Sequence, residues 1–200
     1  MEVLSPDAAG LRRAVELLRA GEVIAFPTDT VYGLAALASD RGALERVYLL
    51  KHRPRDRPLI LMPPSVAQVG RWGVVDGAAR RLISRWWPGP LTLVLVARPG
   101  VGPPLTAGVP PGIGVRIPNH QLALRLLDQA GEALATTSAN LSGRTSALSA
   151  GEASALAGVA AVLDGGRAPG GTPSTVLELR GGVPRVLREG AIPSSALLPR

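Results

Sequence analysis

The chain contains no cysteine, one lysine, two histidines and only 3% aromatic residues in 200 positions. The lack of cysteine excludes disulfides, thiolate metal sites and cysteine nucleophiles, leaves no redox chemistry of its own, and is compatible with a reducing cytosol. No apolar stretch reaches membrane-spanning length without a charge or a proline. The start, Met1-Glu2-Val3-Leu4-Ser5-Pro6-Asp7, has neither the basic nor the apolar region of a secretion signal. A cytoplasmic location with no membrane partner is therefore expected. The patterns G-x-x-x-x-G-K-[ST], G-x-G-x-x-G and G-x-S-x-G are also missing, so the common nucleotide folds and the hydrolase elbow do not explain the chain. No set of histidines and carboxylates has metal-ligand spacing, and no protein metal site is predicted.

The basic residues outnumber the acidic ones 22 to 15, a formal charge of +7. That suits an anionic partner such as a nucleotide or RNA, and it narrows the partner only by sign. The one lysine, Lys51, stands in the run Lys51-His52-Arg53-Pro54-Arg55-Asp56-Arg57-Pro58, among cations that are otherwise all arginine. An ammonium is a compact, rotatable point charge, whereas a guanidinium is a planar fork. The two prolines stiffen the run and turn it from helix, which places the cations on a constrained loop. Two readings of the run stand side by side, an anion site and a solvated basic loop.

With 46% hydrophobic residues, the length fits one domain over residues 1–200, with a core over about 6–190 and a short C-terminal tail. Ser5-Pro6-Asp7 reads as a cap and first turn, with Leu11, Ala14, Val15 and Leu18 recurring at helical spacing up to Gly21. Val23 to Phe26 and Leu34 to Ala38 read as strands around the polar segment Thr28 to Gly33. Asp40 caps a helix through Leu50, and a strand follows at Leu59 to Met62. Helices are predicted from Ser65 and from Asp76, a strand at Leu91 to Val96, and another at Val115 to Ile117. Asn119 caps a helix through Ala130, and a strand from Ala133 to Thr136 leads into Thr137 to Asn140. A helix near 150–157 and strands at Ala160 to Leu163, Thr175 to Leu179 and Arg185 to Leu187 complete the pattern. Helices and strands interleave throughout, which predicts an α/β fold, a mixed sheet with helices packed on it.

Six loops at strand ends carry small hydroxyls or an amide beside a cation. They are Thr28 to Tyr32, Lys51 to Arg57, Arg116 with Asn119, Ser138 to Asn140, Ser174-Thr175, and Arg188 before Gly190. Converged, they would build an anion-binding cleft in which positioning and charge stabilisation supply most of the catalysis at a triphosphate. Taken singly, each hydroxyl also fits a local backbone hydrogen bond. His52 and His120 read as structural or exposed. Trp86-Trp87 reads as a packing anchor, and Asp29 as a residue that caps or orients its loop. The glycine-rich stretch from Asp164 to Thr172 fits either a flexible connection or a turn that approaches phosphate.

In order along the chain, several strings resemble the signature of the YrdC/Sua5 family. They are Pro27-Thr28-Asp29-Thr30-Val31-Tyr32-Gly33-Leu34, Lys51-x-Arg53-Pro54, Trp87-Pro88-Gly89-Pro90-Leu91-Thr92, Val115-Arg116-Ile117-Pro118, Thr137-Ser138-Ala139-Asn140-Leu141-Ser142-Gly143, Asp164-Gly165-Gly166, Pro173-Ser174-Thr175-Val176 and Leu187-Arg188-Glu189-Gly190. The resemblance implies an open twisted mixed sheet with flanking helices and a basic concave cavity. It implies a threonylcarbamoyl-AMP synthase, which joins L-threonine, bicarbonate and ATP and releases pyrophosphate. Other proteins then transfer the threonylcarbamoyl group to tRNA in the t6A37 modification. It also implies that Thr30, Tyr32, Arg116, Ser138 and Ser174 form the threonine pocket. Lys51, Arg53, Arg57, Asn140 and Arg188 would then face the nucleotide, Lys51 and Arg53 being the catalytic pair. Mg2+ would travel with ATP on its own waters, because the chain offers no carboxylate cage.

The chain departs from the pattern of longer members, which often read Asn-Pro-Leu and then a strand ending in His. Here Arg57-Pro58-Leu59 and Met62 stand instead, and Met62 cannot supply a histidine's hydrogen bond. Ending soon after Gly190, the chain resembles the short, single-domain form. The rival expectation from another class is a double-stranded RNA or tRNA binder that uses the same basic cavity.

Overall fold

The computed structural model describes residues 1–181 and 183–198. Along the chain it forms β1 (Glu2–Leu4), α1 (Ala8–Arg19), β2 (Ile24–Phe26), β3 (Gly33–Leu37), α2 (Arg41–Lys51), β4 (Ile60–Met62), α3 (Gly77–Trp86), β5 (Leu91–Val96), β6 (Thr106–Ala107), β7 (Gly112–Val115), α4 (Gln121–Ala130), β8 (Leu134–Ser138), α5 (Ala150–Ser154), β9 (Ala161–Leu163), β10 (Thr175–Glu178) and β11 (Arg185–Arg188). The strands make one mixed sheet in the order β1-β9-β2-β3-β8-β4-β7-β5-β10-β11, with β6 beside β7. Parallel pairs join β1 to β9, β9 to β2, β4 to β7 and β5 to β10, and the other pairs are antiparallel. This is the α/β architecture predicted from the sequence.

Local chemistry explains most helix starts. Asp40 and Asp76 cap α2 and α3 by accepting the amides of Ala43 and Ala79, each contact contributing about 1 kcal/mol. Two expected caps move by one or two residues. Asp7, not Ser5, caps α1, since its carboxylate reaches the amides of Ala9 and Gly10 at 2.9 Å while Ser5 lies a half-turn too early. His120, not Asn119, caps α4 through Nδ1. Burial lowers the pKa of that histidine, which favours the neutral ring whose Nδ1 can accept. The helix predicted from Ser65 is a 3-10 turn over Val66–Arg71, and Ser65 makes no capping bond with its side chain. Strands β1 and β6 were not predicted, being too short to show an alternation. Among the described residues no helix is long and apolar enough to cross a membrane.

Alternation along the strands sends side chains to two different layers. On the first face Ala25, Leu34, Ala36, Leu61, Leu91, Leu93, Leu95, Ile113, Val115, Ala135, Val162 and Leu177 join one core with residues of α2, α3 and α5. This face is covered across nearly the whole sheet. On the second face Ile24, Phe26, Ala35, Leu37, Met62, Leu134, Ala161 and Leu163 pack on Leu11, Leu18, Leu126 and Leu127 of α1 and α4. That second core stops at β4. Beyond it the same face presents Thr92, Val94, Gly112, Gly114 and Val176 to a pocket of ≈ 250 Å³ with no helix among its lining residues. The Trp86-Trp87 pair anchors the first core, where Trp87 is buried and its indole N–H donates to Leu91 O at 2.7 Å.

Candidate active site

The cleft forms where the second core ends. Its first wall is the loop between β2 and β3. Thr28 Oγ1 donates to Val31 O at 2.6 Å and accepts from the amides of Thr30 and Val31, so one hydroxyl shapes the whole turn. Thr30 Oγ1 lies 3.0 Å from Thr28 Oγ1 and accepts from Arg116 Nη1 at 3.0 Å. The glycine-rich stretch braces this loop from behind. Gly171 N donates to Thr30 O at 2.9 Å, and Tyr32 Oη donates to Gly166 O at 2.7 Å. A Cβ on Gly170 would lie 2.6 Å from Asp29 O, so only glycine permits that approach.

The second wall brings Arg116, Ser174 and Arg188 together. Arg116 follows β7 and is almost wholly buried. Its Nε donates to Gly89 O at 3.0 Å and its Nη2 donates to Asp29 Oδ1 at 2.5 Å. Asp29 therefore orients the guanidinium as well as its own loop. Five N–H donors less the three spent here leave two for a ligand. Ser174 Oγ lies 2.8 Å from Thr92 Oγ1, and Arg188 Nη2 donates to Ser174 O at 2.8 Å and to Ser174 Oγ at 3.2 Å. Gly190 makes this contact possible, because a Cβ there would sit 2.5 Å from Ser174 C and 2.6 Å from Thr175 N.

The third part is the end of α2, where the structure corrects the expectation of a loop lysine. Lys51 is the last residue of the helix, and His52 closes it with a left-handed backbone at φ 50°. Arg53 N donates to Tyr48 O at 2.9 Å and Pro54 prevents continuation. That reversal sends Lys51 inward, to 1% exposure, and Arg53 into the cleft. Arg53 is held by Arg57 O, Pro58 O and Thr137 Oγ1 at 2.9, 2.9 and 3.2 Å. The Lys51 ammonium donates to Ser138 O at 2.5 Å and to Asn140 O, in the loop after β8. Burial, and then Arg53, lower its pKa to about 8.

These parts bound a small cleft of ≈ 100 Å³ whose floor is the second face of β3, β4 and β8. Of the residues predicted from the sequence, Thr30, Arg53, Arg116, Ser138, Ser174 and Arg188 line it together. The others lie elsewhere. Asn140 lines a second cavity of ≈ 350 Å³, bounded also by Leu141, Arg144, Ser146 and Glu152. Tyr32 is buried behind the first wall, Arg57 is exposed and outside both linings, and Lys51 lies between the two cavities without lining either. Sequence reasoning named Thr28 only as part of its cleft loop, and missed Thr136 and Thr137 as lining residues and the ion pair of Asp29 with Arg116. The run of hydroxyls at the end of β8 was the available signal for Thr136 and Thr137.

Electrostatics follow from burial. Desolvation is the main cause that lowers the pKa of Arg53, Arg116 and Arg188; Arg53 adds to it at Arg188, and Arg188 at Arg116 after Asp29 has opposed it. All three remain guanidinium ions. Three cations against one carboxylate leave the cleft with two uncompensated positive charges, a repulsion that a bound polyanion relieves. Among the described residues no cluster of histidine and carboxylate could hold a metal ion.

The Sua5/YciO/YrdC family profile, described as "Telomere recombination", matches residues 16–190. The chain is 41% identical over 193 residues to the threonylcarbamoyl-AMP synthase of Bacillus subtilis (strain 168), an alignment that covers 94% of this chain and 56% of that protein. The solved structure of P. abyssi Sua5 complexed with L-threonine superposes with a TM-score of 0.93 at 35% identity, covering 98% of this chain and 60% of that one. E. coli YciO superposes with a TM-score of 0.84 at 30% identity and 94% coverage of both chains. The chain thus spans a little over half the length of the B. subtilis synthase and of its P. abyssi counterpart (56% and 54%). With the profile matched over most of its length and the fold shared from end to end, this chain belongs to the Sua5/YciO/YrdC family.

Proposed function

We propose that the protein is a threonylcarbamoyl-AMP synthase, forming L-threonylcarbamoyladenylate and pyrophosphate from L-threonine, bicarbonate and MgATP. The observation that carries this reading is the convergence, in one cleft, of Thr30, Arg116, Ser138 and Ser174 with Arg53 and Arg188, which have no ion-pair partner among the described residues. Arg116 keeps two N–H groups for the threonine carboxylate, and the hydroxyls of Thr30, Ser138 and Ser174 match the polar groups of a small amino acid. Arg53 and Arg188 neutralise the phosphates, while Asn140, across Ala139, directs the nucleoside towards the second cavity.

The threonine amine adds to bicarbonate-derived carbon dioxide or carboxyphosphate to give the carbamate. A carbamate oxygen then attacks the α-phosphorus and pyrophosphate leaves. No covalent enzyme intermediate is needed, and the role of the chain is to position and to stabilise charge. Magnesium arrives with ATP as part of the substrate. The product serves downstream transferases acting on tRNA, and the reaction belongs to the cytoplasm.

The test is pyrophosphate release from MgATP by the purified protein, with and without L-threonine and bicarbonate, beside an Arg188→Met variant. Release that needs both co-substrates, prefers threonine to serine and falls in the variant supports the synthase. No release, together with tight, salt-sensitive binding of double-stranded RNA or tRNA, would make the cleft an RNA surface.

A further inference from the structure

We infer that Lys51 is a positioning residue: its ammonium clamps the loop from Ser138 to Ser142, the wall between the two cavities, and does not bind phosphate. The inference rests on the synthase reading only for what the cavities hold.

The geometry accounts for all three ammonium N–H donors. One goes to Ser138 O at 2.5 Å, one to Asn140 O, and the third faces Asn140 Oδ1 at 3.5 Å. The same lysine grips the loop through its backbone, since Ser142 N donates to Lys51 O at 3.1 Å. From the opposite side Tyr32 O accepts Ala139 N at 2.8 Å. Asn140 passes the constraint on, its Nδ2 donating to Leu141 O and Arg144 O at 2.8 and 2.7 Å. The loop carries Ser138 into the first cavity and Asn140 into the second, so one buried charge sets the place of both.

The residue type fits this role. A tetrahedral ammonium meets carbonyls that converge from several directions, which the planar fork of arginine does not. That explains why this one cation remained lysine in a chain whose other basic residues are arginine. Phosphate contact would have to break bonds already made in a site with 1% exposure, whereas Arg53 and Arg188 already stand in the cleft.

Because the chain has a single lysine, 15N-lysine labelling gives one side-chain signal, readable in the unmodified protein. We expect a slowly exchanging ammonium in the free protein at pH 6.5, with hydrogen-bond couplings to the carbonyls of Ser138 and Asn140. Those couplings should persist when a non-hydrolysable MgATP analogue saturates the site. A fast-exchanging signal in the free protein, or a transfer of the bonds to phosphate, overturns the inference. In a second measurement, Lys51→Met should weaken L-threonine binding in the absence of nucleotide by about tenfold or more, and Lys51→Arg should restore only part of it. A phosphate ligand would leave that affinity unchanged. If the unmodified protein binds no threonine, the synthase reading fails, and the ammonium signal of the free protein still decides the role of Lys51.

Discussion

The second face of the sheet has two halves that differ in one respect. From β1 to β3 it carries Ile24, Phe26, Ala35, Leu37, Ala161 and Leu163, and α1 and α4 cover it. From β7 to β10 it carries Thr92, Val94, Gly112, Gly114 and Val176, and lines an open pocket that meets the cleft at Arg53, Ile60 and Arg188. The strands of both halves put the same kind of apolar side chains on the first face. Strand identity therefore comes from one face and function from the other. Where the second face is bulky and apolar it must be buried by a helix, and where it is small or polar it can stay open to a ligand.

The largest effect is expected where the two halves join, at Arg116. Arg116→Met removes the fork proposed for the threonine carboxylate and strands Asp29, whose Oδ2 is already buried without a partner. Threonine-dependent pyrophosphate release should fall by about 100-fold, and unfolding in urea should show a loss of about 3–5 kcal/mol. The double variant Asp29→Asn/Arg116→Met should recover much of the stability and none of the activity.

On the covered half, Leu126→Ala should cost about 2–5 kcal/mol in the same unfolding measurement by leaving a cavity. Its Michaelis constants for threonine and ATP should not change. A change in either constant would show that the two halves are coupled.

A pH series separates the two demands on Lys51. Its folded pKa, about 8, lies below its unfolded value of 10.5, so between these pH values the unfolded chain binds the proton better. On this group alone, stability rises with pH from about 8 to 10.5, because neutralising a desolvated ammonium removes its burial penalty. Activity should move the other way, since the neutral amine holds the loop carbonyls less well. Arg53 is the charged neighbour that helps set this pKa. Urea unfolding at pH 7.5 and 9.5, compared between the unmodified protein and Lys51→Met, checks it: the gain should be absent in the variant.

The smallest effect is expected on the open half. A Cβ on Gly114 would meet Thr92 Cγ2 and Ile60 Cγ1 at the ordinary distances of 3.6 and 3.7 Å. Gly114→Ala should therefore fold normally, with stability unchanged or raised by about 0.4–1 kcal/mol. Gly114 lines neither the cleft nor the second cavity, so the Michaelis constants for threonine and ATP should stay unchanged. A loss of stability would mean that this face is packed rather than open.

The sequence showed most elements because their causes are local. Asp40 and Asp76 stand one residue before their helices, and Leu91 to Val96 is a strand by its own apolar run. The errors share a reason. Ser5 against Asp7 and Asn119 against His120 differ only in which side chain reaches the second or third amide, a matter of backbone direction. Strands β1 and β6 exist only because β9 and β7 lie beside them. At the site, residue types were legible and their directions were not. Arg53 and Lys51 are two positions apart, yet the left-handed turn at His52 points one into the cleft and the other into protein.

By itself, then, the sequence determined the α/β alternation, the excess of positive charge, the exclusion of thiol chemistry, and the loops that carry hydroxyls beside cations. These follow from composition and from periods of two and 3.6 residues, which each segment holds on its own. Only the tertiary structure decided which half of the sheet stays open, that Asp29 would pair with Arg116, and that Lys51 would spend its ammonium on two carbonyls of a distant loop. Each of those depends on segments far apart in the chain, and burial then strips away the water that would otherwise have met their charges.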